Sequence, residues 1–409
     1  MAKGRPEFGN EEGQYMNGVF SRRSVLRAMG TAALSSSVIP EYGAGRGVAP
    51  AFRPGDAGLK ASATKLLEPP EATDGGWRPE GRETPKICLD ISSNHLDEAV
   101  MRRVKQIGVN NVACGGSPPI PWEESRLRSI MDTLKSAGLT LGNMMIGGFP
   151  NTLYGKPGRD EEIEKVRQSI RAAGRAGLPV IEYNFYAHRA IEGYYAETGR
   201  AGAGLTAFDY DRVKGLPPLA NEGAHTLDEM WRNITYFLKA VVPVAEESGV
   251  RLALHPNDPP APISRGSEQI MGSVEGWKHL IEIVPSKANG ITFDCGVTRE
   301  MGQDPVEVCR YFGSRDRINH VHFRNVRVQA PNEKYTEVFL DDGQVNMFAV
   351  MKELVRQKYP RLVYPEHPRG LDADRELKDL GSSYPGGGAY VGFVYNVGYT
   401  RAMLQAALA

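Results

Sequence analysis

The sequence predicts a single (β/α)8 (TIM) barrel, a fold in which eight parallel strands alternate with helices. Three observations favour this fold over a doubly wound sheet. Eight short apolar runs alternate with helical patterns between Lys86 and the C-terminus. Glycine ends three of the helical patterns, in the motifs SAG, RAG and ESG, where a helix stops before the next strand. No GxGxxG or GxxxxGKS/T phosphate loop follows any of the runs.

The eight apolar runs are the expected strands. In chain order they read KICLDI, VNNVACGG, LTLGNMMIGG, LPVIEYNFY, VRLALHP, GITFDCG, INHVHFRNV and RLVYPEH. Between them lie amphipathic patterns, whose apolar residues recur three and four positions apart, as in a helix with one buried face. In the first pattern, LDEAVMRRVKQIG, this face carries Val100, Val104 and Ile107. The last pattern, AYVGFVYNVGYTRAMLQAAL, supplies the final helix.

Two stretches interrupt the repeat. Residues 187–226 follow the fourth strand, and residues 368–389, with Gly386, Gly387 and Gly388, follow the eighth. Both therefore extend from the face of the barrel on which such folds place their active sites. We expect them to act as lids, and the alternative is that they are insertions without a function.

The chain divides into three parts. Residues 1–45 resemble a twin-arginine export signal, because Arg22 and Arg23 precede a weakly apolar stretch in SRRSVLRAMGTAALSSSVIP. Residues 46–84 are rich in Gly, Pro, Ala and Glu, which is typical of a linker. Residues 85–409 hold the catalytic barrel. The signal predicts a periplasmic or extracellular protein, and the alternative is a basic tail on a cytoplasmic one.

Composition excludes several classes of partner. Lys+Arg and Asp+Glu both count 49, and this net charge of zero argues against binding to nucleic acid. No apolar run is long enough to span a membrane. The four cysteines lack CxxC spacing, which indicates neither a structural zinc site nor a disulfide framework. We expect a small-molecule substrate and a homo-oligomer.

Polar side chains stand at the C-terminal ends of strands four to eight, which meet at one mouth in a barrel. Imidazole, thiolate and carboxylate together suit Mn, Fe(II), Co or Zn. Each residue alone is more often a core histidine, a buried thiol or an ion-pair partner, but their coincidence favours a metal site. The residues are Glu182, Asn184, His255, Asp294, Cys295, His320, His322, Arg324, Glu366 and His367. His320 and His322 point to the same side of one strand, so spacing does not decide which binds the metal.

Several motifs together resemble the mannonate dehydratase family, a metal-dependent group of xylose-isomerase-like barrels. The stretch ALHPNDPP is similar to the family's CLHPDDPP. The family's Cys-Thr-Gly, His-Leu-Arg and Pro-Asp-His resemble residues 294–296, 322–324 and 365–367. Further matches are YNF at 183–185, DGxVxM at 342–347, and Tyr390 with Gly398. The resemblance extends from about residue 86 to about residue 405.

The resemblance implies a metal bound by His255, Cys295, His322 and Glu366. It favours His322 over His320 because Arg324 follows His322, as in the family's His-Leu-Arg. The implied metal is Mn(II), with Fe(II) or Co(II) as alternatives. The implied enzyme is a lyase of hexuronate breakdown that removes water from D-mannonate or a related aldonate. Its product is a 2-keto-3-deoxy sugar acid.

This chemistry gives the residues expected roles. A metal stabilises the enediolate left when a base removes the C2 proton, and an acid protonates the departing 3-hydroxyl. His367 and Tyr390 are expected to be this pair, in either order. Arg324 is expected to bind the substrate carboxylate through its planar fork. Asp258 orients His255 or binds a hydroxyl, unless it only stabilises its proline-rich loop. Further substrate contacts are expected from Glu182, Asn184 and His320.

The sequence departs from the family pattern at several positions. Glu366 is one methylene longer than the family's Asp, and Asn257 replaces an Asp. Pro368 replaces a glycine, and Thr336 replaces a histidine. Glu182 stands where the family often has an uncharged residue, and sugar isomerases of this fold use a glutamate there as a metal ligand. A metal-dependent isomerase or epimerase, and a non-catalytic sugar-acid-binding barrel, therefore stay as alternatives.

Overall fold

The structure is a computed structural model that describes residues 80–187 and 192–409. The predicted signal, residues 1–45, and all but the end of the predicted linker lie outside the described residues, so both stay predictions. Within the described part, no helix is long and apolar enough to cross a membrane.

Fourteen strands form among the described residues. In chain order they are β1 (Lys86–Asp90), β2 (Asn111–Cys114), β3 (Thr140–Ile146), β4 (Val180–Tyr183), β5 (Tyr194–Thr198), β6 (Gly204–Asp209), β7 (Arg251–Leu254), β8 (Ile263–Ser264), β9 (Ser267–Glu268), β10 (Asn289–Asp294), β11 (Ile318–His322), β12 (Asn325–Ala330), β13 (Lys334–Val338) and β14 (Leu362–Tyr364).

Ten α-helices form among the same residues. They are α1 (Glu98–Gln106), α2 (Glu124–Ser136), α3 (Pro150–Leu153), α4 (Arg159–Ala176), α5 (Leu227–Glu247), α6 (Val274–Ile283), α7 (Cys295–Glu300), α8 (Pro305–Gly313), α9 (Met347–Arg356) and α10 (Tyr390–Leu408). Short 3-10 turns cover Arg200–Gly202, Tyr210–Arg212 and Asp372–Arg375.

Eight parallel strands close into a barrel in the order β1, β14, β11, β10, β7, β4, β3, β2. The closure joins the first and last strands, with Ile87 opposite Val363. Strands β4, β10 and β11 are buried along their whole length, as expected where helices cover one face and the barrel interior the other. The predicted (β/α)8 barrel and all eight of its predicted strands are confirmed.

Local signals place the helices between these strands. The side chain of Asp97 accepts a hydrogen bond from the backbone N–H of Val100 and so caps α1. Thr226 and Glu229 form a capping box at the start of α5. Of the apolar face predicted for α1, Val104 is buried, whereas Val100 and Ile107 are partly buried against the core.

A second sheet lies at the C-terminal ends of the barrel strands. Its four antiparallel strands run in the order β12, β13, β6, β5, and we call it the cap sheet. The predicted insertion at 187–226 supplies β5 and β6, whereas β12 and β13 form a hairpin that the sequence did not reveal. The second predicted insertion joins the cap sheet, because Gly204 and Gly370 exchange backbone hydrogen bonds of 2.8 and 3.1 Å. Whether either insertion acts as a lid stays a prediction.

Candidate active site

Histidines and carboxylates from the ends of five barrel strands meet at the mouth. His255 Nε2 lies 3.1 Å from His322 Nδ1. Glu366 Oε2 lies 2.9 Å from the same Nδ1, and Glu182 Oε1 lies 3.4 Å from His322 Nε2. Two groups could hold a metal ion, Glu182–His255–His322 and Asp294–His322–Glu366, and in each the ligand atoms lie within 4.8 Å of one another. All five residues are buried.

These residues fit a divalent metal ion. Both ring nitrogens of the neighbouring His320 are buried and have no hydrogen-bond partner among the described residues. Its Nε2 lies 3.8 Å from Glu182 Oε2. Leaving a buried polar group unpaired costs roughly 1–3 kcal/mol. Imidazole nitrogens and carboxylate oxygens together suit a first-row divalent ion, so the prediction of a divalent metal is supported by the donor set.

The negative charges of the carboxylates near His320 and His322 favour a positively charged group at this site. Burial lowers the pKa of His320 to about 4, so this ring is neutral. Burial acts in the same direction on His322, but Glu366 and Glu182 raise its pKa to about 10. Burial would raise the pKa of Glu182, but His320, His322 and His255 lower it. The carboxylates thus stabilise either a proton on His322 or a cation in its place.

His367 lies next to this cluster. Its Nε2 is 3.5 Å from Glu366 Oε2, and its Nδ1 is 2.9 Å from Oε2 of Glu337 on β13. The ring of Tyr384 packs against it with a centroid separation of 4.7 Å. His367 and Glu366 were predicted as site residues because they follow a strand. Glu337 and Tyr384 lie outside the barrel strands, so the same rule could not find them.

A cavity of about 840 Å³ opens beside the cluster. Asn184 lines it, and the buried Oδ1 of Asn184 has no hydrogen-bond partner among the described residues. Tyr186 lines the same cavity, and its hydroxyl lies 3.5 Å from His255 Nδ1. This position is compatible with the predicted contact between Asn184 and substrate.

Asp90 is a further carboxyl group at the mouth, and it was not among the predicted site residues. Asp90 ends β1 and accepts a hydrogen bond from the backbone N–H of Gly115 at 3.1 Å. Burial raises the pKa of Asp90 to about 6. The rule that picked the other strand-end residues applies equally to the final Asp of KICLD, so the signal was present in the sequence.

The chain is similar to the enzymes of one family. The family model described as D-mannonate dehydratase (UxuA) matches residues 223–408. The mannonate dehydratase of Streptococcus pneumoniae is 29% identical over 325 residues, 70% of this chain and 84% of that protein. The Thermotoga maritima enzyme is 29% identical over 352 residues, 75% of this chain and 94% of that protein. The crystal structure of the Streptococcus suis mannonate dehydratase matches with a TM-score of 0.71 at 27% identity, over 79% of this chain and 95% of that chain.

The chain is similar to mannonate dehydratases in sequence and in structure. These similarities support a sugar-acid dehydratase, and therefore a hydro-lyase, and do not favour the isomerase or epimerase alternative. More distant structures show the fold alone. One is an L-ribulose 3-epimerase, with a TM-score of 0.50, 13% identity, and coverage of 80% of this chain and 96% of that chain. Another is a xylose isomerase-like TIM barrel protein from Mycobacterium smegmatis in complex with magnesium, with a TM-score of 0.51 and 13% identity over 80% and 98% of the two chains.

The structure corrects one of the four metal ligands that the family resemblance implied. Cys295 is fully buried in the hydrophobic core and belongs to neither group of ligand atoms. The reason is local, because α7 begins at Cys295 and turns its thiol into the core. The preceding residue, Asp294, lies beside His322 instead. The other three implied ligands, His255, His322 and Glu366, lie together.

Arg324 does not offer a free guanidinium to a substrate. Its side chain is 2% exposed and lies 3.0 Å from Asp258 Oδ2, 3.1 Å from Asp294 Oδ2 and 2.6 Å from Glu300 Oε1. Its Nε also lies 3.1 Å from Glu366 Oε1. Arg324 holds the protein's own carboxylates around the site, and its contact with the substrate carboxylate stays a prediction.

Tyr390 is not at the site. It begins α10, and its hydroxyl donates a hydrogen bond of 3.1 Å to the backbone carbonyl of Arg103 on α1. The predicted pairing of Tyr390 with His367 is therefore corrected. The tyrosine whose ring contacts His367 is Tyr384, in the loop between β14 and α10.

Three further predicted contacts are changed by the structure. Asp258 does not orient His255, whose Nδ1 lies 2.7 Å from the carbonyl oxygen of Pro256. Asp258 is buried and binds Arg324 and the hydroxyl of Tyr194, at 2.7 Å, so it stabilises its surroundings. Glu182 lies among the potential metal ligands. His320 is 1% exposed and belongs to neither group of potential ligands.

Proposed function

We propose that this chain removes water from D-mannonate or a closely related aldonate and produces a 2-keto-3-deoxy sugar acid. The similarity to mannonate dehydratases supports the substrate class. The observation that carries the proposal is the position of His367, whose Nε2 lies 3.5 Å from Glu366 Oε2 in the group of potential metal ligands. A proton-transfer group thus lies next to a site that can hold a cation.

The residues that would hold the metal are Glu182, His255, Asp294, His322 and Glu366. We propose Mn(II), with Fe(II) and Co(II) as alternatives, because all three accept mixed nitrogen and oxygen donors. When bound, such an ion supplies Lewis-acid stabilisation of the negative charge that develops on the substrate carboxylate. The residues themselves exclude bulk water, since all five are buried.

Proton transfer is assigned to His367 and Tyr384. His367 is held at Nδ1 by Glu337, which leaves Nε2 to exchange a proton with substrate. Burial raises the pKa of the Tyr384 phenol, which keeps its proton on and suits it to donate rather than to accept. Asn184 lines the adjoining cavity, where its amide is available to a hydroxyl of the sugar chain.

The test is an assay of the purified full chain after metal removal and reloading. Protein loaded with Mn(II), Fe(II) or Co(II) is incubated with D-mannonate and with its C2 epimer D-gluconate, and α-keto acid is measured. We expect keto acid from D-mannonate, loss of activity with a chelator, and recovery when metal is returned. Bound metal without keto acid from any aldonate tested would overturn the proposal.

We also propose that residues 1–45 direct export through the twin-arginine pathway to the periplasm or beyond. The support is the pair Arg22 and Arg23 before an apolar stretch. The test is cell fractionation of the full chain and of the double variant Arg22→Lys, Arg23→Lys. Export of the wild type that stops in the double variant supports the proposal, and a wild type found only in the cytoplasm contradicts it.

A homo-oligomer is proposed as well. The exposed faces of α9 and α10 carry apolar side chains, with Phe348 and Val394 each 40% exposed and Tyr399 36% exposed. Light scattering during size-exclusion chromatography measures the mass of the purified protein. A mass equal to one chain at all concentrations would contradict the proposal.

A further inference from the structure

The cap sheet carries a buried carboxylate to the edge of the barrel mouth. Glu337 lies on β13, which pairs with a strand on each side, so that Val326 and Thr206 are its neighbours in the sheet. Its side chain is 1% exposed. A central strand fixes the backbone of Glu337 on both sides and therefore fixes the direction of its carboxylate.

One oxygen of this carboxylate accepts two hydrogen bonds. Glu337 Oε2 lies 2.9 Å from His367 Nδ1 and 2.8 Å from an NH2 group of Arg369. Arg369 also donates to the backbone carbonyl of His367, from Nε at 2.9 Å and from the same NH2 group at 2.7 Å. Glu337 and Arg369 together therefore hold both the ring and the backbone of His367.

The backbone of His367 supports a positional role. Its φ is +46°, a left-handed conformation that non-glycine residues seldom adopt. Such conformations persist where the surrounding structure holds them, and they cluster at functional sites. The clamp formed by Glu337 and Arg369 supplies that hold. It directs Nε2 of His367 toward Glu366, at 3.5 Å, and Nδ1 away from it.

Glu337 is charged in this environment. Burial alone would raise its pKa, but His367, Arg369 and Arg324 lower the pKa to about 2. An ionised carboxylate is a strong acceptor for the Nδ1–H of an imidazole, so this contact fixes a proton at Nδ1.

We infer that Glu337 is a positioning residue, which holds the proton of His367 at Nδ1 so that Nε2 is the atom that exchanges protons with substrate. The inference rests on the proposed function, because it takes His367 as a proton-transfer group. Glu337 acts through His367, whose Nδ1 it contacts at 2.9 Å. The cap sheet is then part of the active site, since it supplies the carboxylate that contacts His367 Nδ1.

The test compares Glu337→Gln with a matched control, Glu353→Gln, in the full chain loaded with Mn(II). Glu353 is also buried and ion-paired to arginine, but it lies on α9, away from the mouth. Residues that orient a catalytic or metal-bound group typically contribute about 10–100-fold to activity. We expect Glu337→Gln to lower kcat by about 10–100-fold while KM changes by less than about 3-fold. Glu353→Gln is expected to keep the wild-type kcat.

A second readout does not depend on turnover. Nitrogen-15 NMR of the Mg(II)-loaded protein, with His367 assigned from a His367→Asn spectrum, reports which ring nitrogen carries a proton. We expect a protonated Nδ1 in the wild type and a smaller protonated fraction at Nδ1 in Glu337→Gln. If Glu337→Gln does not fold, Glu337→Asp withdraws the carboxylate by one methylene and carries the same test.

The outcomes distinguish a failure of the proposed function from a failure of the inference about Glu337. A wild type that forms no keto acid overturns the proposed function, whereas the NMR readout still tests the contact. A wild type that turns over, with an unchanged kcat in Glu337→Gln, overturns the inference alone. An unprotonated Nδ1 in the wild type overturns it as well.

Discussion

His255 Nε2 and His322 Nδ1 lie 3.1 Å apart, although 67 positions separate the two residues in the sequence. Their rings are inclined at 63°, and both residues belong to one group of potential metal ligands together with Glu182. Because His255 Nδ1 faces the carbonyl oxygen of Pro256 at 2.7 Å, its Nε2 is the nitrogen left with a lone pair. Two imidazole nitrogens this close together, with carboxylates beside them, are arranged to bind a cation.

Replacing His322 by Ala should abolish stoichiometric binding of metal. His322 is the residue shared by both groups of ligand atoms, so its loss affects each of them. We expect the affinity for Mn(II) to fall by more than about 100-fold, beyond the effect typical of residues that only support a ligand. Equilibrium dialysis with metal analysis measures it. His279→Ala is the control, because His279 lies on α6 and is in neither group, and equal losses in both variants would contradict the assignment.

We expect substitutions at Asp294 and at Cys295 to differ in their effect on metal binding. The structure places Asp294 beside His322 and the thiol of Cys295 in the core, so Asp294→Asn should weaken metal binding by about 10-fold or more. Cys295→Ser should keep the metal but lose roughly 1–3 kcal/mol of stability, since it buries a hydroxyl among apolar groups. Metal content and chemical denaturation measure the two effects. A stable Cys295→Ser protein that has lost its metal would restore Cys295 as a ligand.

The contrast between Asp294 and Cys295 shows where inference from sequence stops. Alternation of apolar runs and helical patterns was sufficient for the eight barrel strands, because each pattern is local. Which of two adjacent residues faces the mouth depends on where β10 ends and α7 begins, and a shift of one residue reverses the answer. The family motif located the position to within one residue but could not give the direction of the side chain.

Glu337 and Tyr384 show a second limit. A rule that selects residues after parallel strands finds His255, His322 and Glu366, since the barrel brings those ends together. Glu337 reaches the mouth from the antiparallel cap sheet. Two strands of this sheet come from the insertion at 187–226, and the other two form the β12–β13 hairpin. This hairpin was concealed because INHVHFRNV reads as one run, whereas β11 ends at His322 and β12 starts at Asn325.

A low pH should destabilise the fold by weakening the ion pairs of Asp316, at the end of the barrel opposite the mouth. Asp316 lies 2.8 Å from Arg251, and it also pairs with Arg361 at 2.5 Å. Burial would raise the pKa of Asp316, but the hydrogen bonds from both arginines lower it. A folded-state pKa below the unfolded value of about 3.9 stabilises the fold above that pH, and the contribution is lost as pH falls through the folded-state value.

Asp316→Asn should therefore lower the free energy of unfolding at neutral pH by about 1 kcal/mol, a small value because the side chain is 36% exposed and its charge is screened. The difference from wild type should shrink below about pH 4. Urea unfolding across pH measures it. Asp372→Asn, at a side chain that is 87% exposed, serves as the control. A difference that does not depend on pH would contradict the role of the charge.

Removing the phenol hydroxyl distinguishes Tyr384 from Tyr390 as the candidate for proton transfer. Tyr384→Phe should lower kcat by about 100-fold or more, the range for loss of a general acid, because its ring lies against His367. Tyr390→Phe removes only a hydrogen bond to the backbone of Arg103, which should cost roughly 0.5–1.5 kcal/mol of stability and leave kcat unchanged. Steady-state kinetics with D-mannonate and thermal unfolding of both variants give the answer. If Tyr390→Phe is the inactive variant, the hydroxyl of Tyr390 must leave Arg103 during turnover, and the motif-based assignment would be the correct one.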